Sequence, residues 1–184
     1  VEDYARTDEG YELTVGGRPV RCRALVVATG GKSIPKMGAT GFGYDVAARF
    51  GVPVVPTRPA LVPLTFEIGM LERLKPLAGV AVDASITANG TRCDEAMLFT
   101  HRGLSGPTVL QISSYWREGD EIEVDMAPGQ NIFDRLRDAR SQSGRQSIQT
   151  ALSHILPRSL ALHICEAEDV SGNIADLNDK TLKR

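Results

Sequence analysis

The stretch VVATGGKSIP, Val26 to Pro35, ends an apolar run in Ala28, Thr29, Gly30 and Gly31. Two adjacent glycines at a strand end leave the main chain bare, so a ligand can come close to it. Ligands of layered α/β sheets sit beyond the carboxyl ends of the strands. Ala28, Thr29, Gly30 and Gly31 are therefore the first candidates for holding a cofactor. A strand-ending turn that touches nothing is the alternative. A second polar block is THRGLSGP, Thr100 to Pro107. One reading makes His101-Arg102-Gly103 a turn and Ser105 the cap of a following helix. Another lets that helix start, with Thr100, His101 and Arg102, meet an anionic part of a cofactor or substrate. A third makes Ser105 a nucleophile with His101 as its base. The nucleophile elbow G-x-S-x-G fails here, because Pro107 stands in the last Gly position. Gly38 to Gly43, GATGFG, reads either as a second backbone cradle or as a loop whose Thr40 caps a helix. No side chain is assigned as catalytic acid or base.

The other chemistry-bearing residues are sparse. Cys22, Cys93 and Cys165 are far apart and odd in number, with no C-x-x-C pair. That disfavours a disulfide framework or a zinc site and fits a reducing cytoplasm. His101, His154 and His163 form no H-E-x-x-H pattern, so no metal site is assigned. The 184 residues carry a formal net charge of -2. Nucleic-acid binding usually shows as a basic domain or stripe, so no nucleic-acid partner is expected. No apolar run approaches the roughly 20 residues of a membrane helix, and none follows a basic leader. No membrane partner is expected and the location is read as cytoplasmic.

The elements that must position these residues change in texture along the chain. YELTVGG alternates, with Tyr11, Leu13 and Val15 on one side and Gly16-Gly17 suited to a tight hairpin turn. The return stretch becomes continuously apolar from Ala24 to Ala28, the pattern of a strand covered on both faces. A Gly-rich loop follows, then a short helix around Tyr44 to Phe50, stopped by Gly51 and Pro53. Pro53, Pro56, Pro59 and Pro63 then punctuate a crossing between domains. LVPLTFEI, GVAVDASITANGTRC, DEAMLFTHRG and DEIEVDMAP read as β-rich, with Asn89-Gly90 a hairpin signal. GPTVLQISSYW reads as a helix. From Asn131 the spacing is helical in IFDRLRDAR, SIQTALSHILP and RSLALHICEAE, with RSQSGRQS as a polar linker. The fold class is α+β. A start at Val1 rather than Met, and an end within NDKTLKR, read as a fragment of a longer chain.

Three blocks together, ATGGKSIPKMGATGFGYDVAARFG, RPALVPL and LFTHRGLSGPTVLQISSYW, resemble the HI0933-like family of NAD(P)/FAD-dependent oxidoreductases. The resemblance implies that residues 1–55 are a slice of an FAD-binding α/β domain. It implies that 56–130 are the small β barrel of an insert domain, and 131–184 its helical bundle. It further implies FAD as cofactor, NAD(P)H as electron source and a small-molecule substrate, with the insert capping the flavin's reactive face. The family's N-terminal G-x-G-x-x-G and its C-terminal flavin-closing segment have no counterpart here, so the missing segments of the parent chain become partners. The fragment alone is expected to bind FAD weakly or not at all and to be inactive. A non-catalytic capping module is the alternative function, with a Ser105 hydrolase behind it.

Overall fold

The computed structural model describes residues 1–184, the Pro35 side chain excepted. The chain divides into two compact units, Val1–Thr57 and Arg58–Arg184.

In the first unit, β1 (Asp3–Thr7), β2 (Gly10–Val15) and β3 (Arg18–Cys22) form an antiparallel meander in that order. The β2–β3 register pairs Tyr11 with Cys22, Leu13 with Val20 and Val15 with Arg18. Its two-residue turn places Gly16 at φ 56 and Gly17 at φ 71. Those left-handed angles match the right-handed twist of the strands. Helix α1 (Phe42–Arg49) packs aromatic against aromatic: the Tyr4 ring lies 5.8 Å from Phe42 and from Phe50. Arg49 crosses the Tyr4 ring at 4.4 Å and donates to Asp3 at 2.8 Å. The helix ends as the Gly51-Pro53 signal requires. Gly51 at φ 70 lets its own N–H reach Ala48 O and the Val52 N–H reach Ala47 O.

The apolar run Ala24–Thr29 departs from the expectation. It belongs to no strand, and Val26 is 84% and Val27 42% exposed. A strand exists only through the ladder of a neighbour. The sheet of this unit consists of β1, β2 and β3 and offers the run no partner.

The second unit is a five-stranded antiparallel sheet in the order β4-β7-β6-β5-β8, curled into a half-barrel. Its strands are β4 (Leu64–Thr65), β5 (Ala81–Ala88), β6 (Thr91–Thr100), β7 (Gly103–Ser105) and β8 (Glu123–Asp125). β5 and β6 pair along their whole length from Ala81↔Leu98 to Ala88↔Thr91. Asn89 at φ 48 and Gly90 at φ 75 make the two-residue turn that Asn-Gly favours. Val82, Ala84, Ile86 and Ala88 alternate inward, as do Cys93, Met97 and Phe99. Helix α3 (Pro107–Ile112) buries Val109 and Ile112 against them. Its Thr108 is fully buried and satisfies its hydroxyl by donating to Cys93 O at 2.8 Å.

Four helices follow: α4 (Ile132–Ser143), α5 (Ile148–Ser153), α6 (Arg158–Ala167) and α7 (Asp179–Leu182). Asn131, Ser147 and Asn178 cap α4, α5 and α7 with side-chain acceptors. Leu136, Leu152, Leu160 and Ile174 join the same hydrophobic cluster as Ile86 and Ile112, so half-barrel and helices share one core.

Three local expectations shift. Part of LVPLTFEI is not strand: Glu67 accepts from Gly69 and Met70 N–H and starts helix α2 (Ile68–Leu74). The first half of RSQSGRQS is not linker, because α4 runs on to Ser143. Helix α3 is entered from Gly106, φ 94, and Ser105 closes β7 instead of capping. Gly106 has no room for a side chain there: a Cβ would stand 2.7 Å from Ala96 O.

Candidate functional site

In the first unit, the loop of Ala28, Thr29, Gly30 and Gly31 lies against the start of α1. Thr29 fills the space of a missing side chain: a Cβ on Gly43 would meet Thr29 Oγ1 at 3.2 Å. A Cβ on Gly31 would meet Tyr44 Oη at 3.1 Å, and one on Gly41 would meet Lys32 Cε at 2.9 Å. The Lys32 ammonium stands 5.5 Å from the Tyr44 ring centroid. Side-chain ends of Tyr44, Lys32 and Thr29 thus stand beside Gly31, Gly41 and Gly43, respectively. Gly30 differs, with φ 71 and nothing within 4 Å of a would-be Cβ.

The fit to a flavin is limited to this one wall. The hollow lined by Val26, Val27, Ala28, Thr29, Phe42 and Val46 measures about 90 Å³. Ligand pockets run from about 300 Å³ upward. These residues offer backbone and one hydroxyl to a cofactor's edge and do not enclose it. Sequence reasoning placed Tyr44 only at the start of a short helix and passed over Lys32. The signal lay in the glycines at 31 and 41, beside which Tyr44 Oη and Lys32 Cε stand.

In the second unit, Thr100, His101, Arg102 and Gly103 form the turn between β6 and β7. Thr100 Oγ1 accepts from the N–H of Arg102 at 3.2 Å and of Gly103 at 3.1 Å, and donates to Gly103 O at 3.0 Å. Its hydroxyl is committed to the turn. Arg102 O accepts from Phe66 N–H at 3.0 Å, which ties the turn to the segment after β4. His101 and Arg102 are exposed at the tip. Ser105 lies two residues beyond the turn, paired with Leu98 of β6.

Among the described residues, no group of His, Cys, Asp and Glu side chains is placed to hold a metal ion. Cys165 is buried, and burial pushes its thiol above the ordinary range, with Glu166 adding to the shift. Among the described residues no helix is long and apolar enough to cross a membrane.

An antiparallel half-barrel fused through one core to a helical cluster, with a basic turn at its edge, defines a barrel-and-helix domain. The chain belongs to the HI0933-like family: residues 58–184 match the HI0933-like protein barrel and H2TH domain. Two curated relatives extend the match to nearly the whole chain. The ribosomal RNA dihydrouridine synthase of Escherichia coli (strain K12) is 44% identical over 183 residues, 99% of this chain and 45% of the relative. The ribosomal RNA dihydrouridine synthase of Haemophilus influenzae (strain ATCC 51907 / DSM 11121 / KW20 / Rd) is 39% identical over 177 residues, 94% of this chain and 44% of the relative. The chain thus spans about half the length of the curated relatives it matches.

These relatives overturn two expectations. The general flavoprotein oxidoreductase with a small-molecule substrate gives way, because the matching enzymes are named for modifying ribosomal RNA. The expectation of no nucleic-acid partner falls with it, since a near-neutral total charge says nothing of where charges cluster.

Proposed function

We propose that this chain is part of an rRNA dihydrouridine synthase, which saturates the C5–C6 double bond of a uracil base within ribosomal RNA. The observation that carries the reading is 44% identity across 99% of the chain to an enzyme of that name. The reaction adds one hydride and one proton across a carbon–carbon double bond, so it needs a two-electron donor. FAD is the donor we assign to the whole protein, supplying the hydride when bound, with NAD(P)H as its reductant.

The chain's own residues take supporting roles. Ala28, Thr29, Gly30 and Gly31 form a wall beside the cofactor, with the open side of Gly30 as the approach. Thr100 fixes the β6–β7 turn, so that His101 and Arg102 project into solvent as cationic or hydrogen-bonding contacts to the RNA. Ser105 stands on the adjoining strand as a further polar contact. A uracil inside folded RNA must be unstacked before its C5–C6 bond can be reached, which favours a site with contacts on both base and backbone.

The test is to incubate the full-length protein with an unmodified rRNA transcript, FAD and NAD(P)H, then digest the RNA and weigh its nucleosides. A uridine heavier by two hydrogen atoms, absent without enzyme, is expected. Unchanged uridine throughout, with free NAD(P)H oxidised on small molecules instead, overturns the reading.

A further inference from the structure

The helical part carries a cationic face that no role above uses. In α4, Phe133, Arg137 and Arg140 are spaced i, i+4 and i+7, which at about 100° per residue keeps them on one face. Asp134 lies about 60° and Asp138 about 100° around the helix from Arg137, and among the described residues neither is ion-paired with it. The chain just past α7 brings Lys183 to the same place. Lys183 Nζ stands 4.8 Å and Arg137 Cζ 5.5 Å from the Phe133 ring centroid. Arg140 donates to Asp179 at 2.5 Å and to Leu177 O at 2.8 Å.

Three cations therefore share one carboxylate. Asp179 is held below the ordinary carboxylate range, first by the Arg140 hydrogen bond and further by the charges of Arg140, Arg137 and Lys183. Among the described residues, the ion pairs on this face are Arg140–Asp179 and Arg184–Glu168, and neither includes Arg137 or Lys183. Both of those side chains are exposed, yet the ring restrains where they point. The face thus carries more positive than negative charge in a partly preorganised arrangement, which suits an anionic partner. Phe133 and Lys183 also line an apolar cavity of about 440 Å³ with Leu136, Leu152, Ile164 and Leu182.

We propose that the α4–α7 face binds backbone phosphates of the rRNA substrate through Arg137 and Lys183, with Phe133 positioning both cations. This rests on the functional reading above. Phosphate contacts hold the RNA and leave the choice of base to other groups.

The test measures binding of the full-length protein to a labelled, unmodified rRNA transcript by fluorescence anisotropy across a salt series, with dihydrouridine formation assayed in parallel. Arg137→Gln with Lys183→Gln is expected to weaken binding about tenfold and to lower the slope of log affinity against log salt by about 1.5, from two lost phosphates. Lys183→Gln alone, at an exposed helix end, is expected to lower it by about half as much. Arg137→Lys with Lys183→Arg keeps the charge and is expected to keep the slope. Arg135→Gln, on the opposite side of α4, removes the same charge and is expected to leave binding near wild type. An unchanged slope in the double variant, or an equal loss in Arg135→Gln, overturns the phosphate face while the enzyme's reaction on rRNA stands. A wild-type protein that neither binds nor modifies the transcript overturns both.

Discussion

Gly103→Ala tests whether the β6–β7 turn is held by backbone contact. Gly103 has φ 150, and an added Cβ would stand 2.1 Å from Leu64 O and 2.8 Å from Thr65 Cα. Both obstacles are main chain, so no side-chain rotation relieves them. A non-Gly residue in such a conformation costs about 1–3 kcal/mol. Relief requires β4 to move, which gives up the Leu64↔Leu104 and Thr65↔Gly103 pairing and the Phe66 N–H to Arg102 O bond. Two or three such bonds contribute about 0.5–1.5 kcal/mol each. The sum is about 2–7 kcal/mol, a large part of a typical domain's stability. Urea unfolding followed by fluorescence of Trp116, the single tryptophan of this chain, reads it out. With a slope of about 2 kcal/mol per molar urea, the midpoint should fall by about 1–3.5 M. Gly90→Ala is the control: Gly90 has φ 75 but nothing within 4 Å of a new Cβ, so only a backbone cost of about 1–2 kcal/mol is expected. A Gly103→Ala variant no less stable than Gly90→Ala would refute the close-approach account.

Three further outcomes can be checked. Thr108→Val keeps shape but leaves Cys93 O without its donor; a loss of about 1–3 kcal/mol is expected in the same urea assay. Val26→Ser in this chain should change stability by less than about 0.5 kcal/mol, because the side chain is 84% exposed; a loss typical of a core site would restore the buried-strand reading. The Asp3 carboxyl is held below its ordinary range, chiefly by the Arg49 hydrogen bond. Its folded pKa lies below the unfolded one, so its stabilising effect is present above about pH 4 and is lost as pH falls through the folded value. Asp3→Asn should therefore flatten the acid side of the first unit's circular-dichroism stability profile; an unchanged acid limb would show that the pair contributes nothing.

The α+β class and the family resemblance were legible because their signals are local. Gly16-Gly17 and Asn89-Gly90 set turn angles within two residues, Gly51 stops α1, and the alternation from Val82 to Ala88 and the spacing from Ile132 to Leu136 declare their own periods. What failed needed a partner distant in sequence. Ala24–Thr29 has the composition of a buried strand, yet a strand is made by its neighbour. Ser105 looks like a cap, but it pairs with Leu98 as the end of β7, and α3 is entered from Gly106. Net charge is a sum, and it conceals Arg137 and Lys183, which meet at one Phe133 ring only when α4 and the segment after α7 are folded together. The sequence by itself determined which elements form, since propensity and turn chemistry act over a few residues. Only the tertiary structure decided which side chains share a surface, because contacts between residues far apart along the chain exist only once the core has closed.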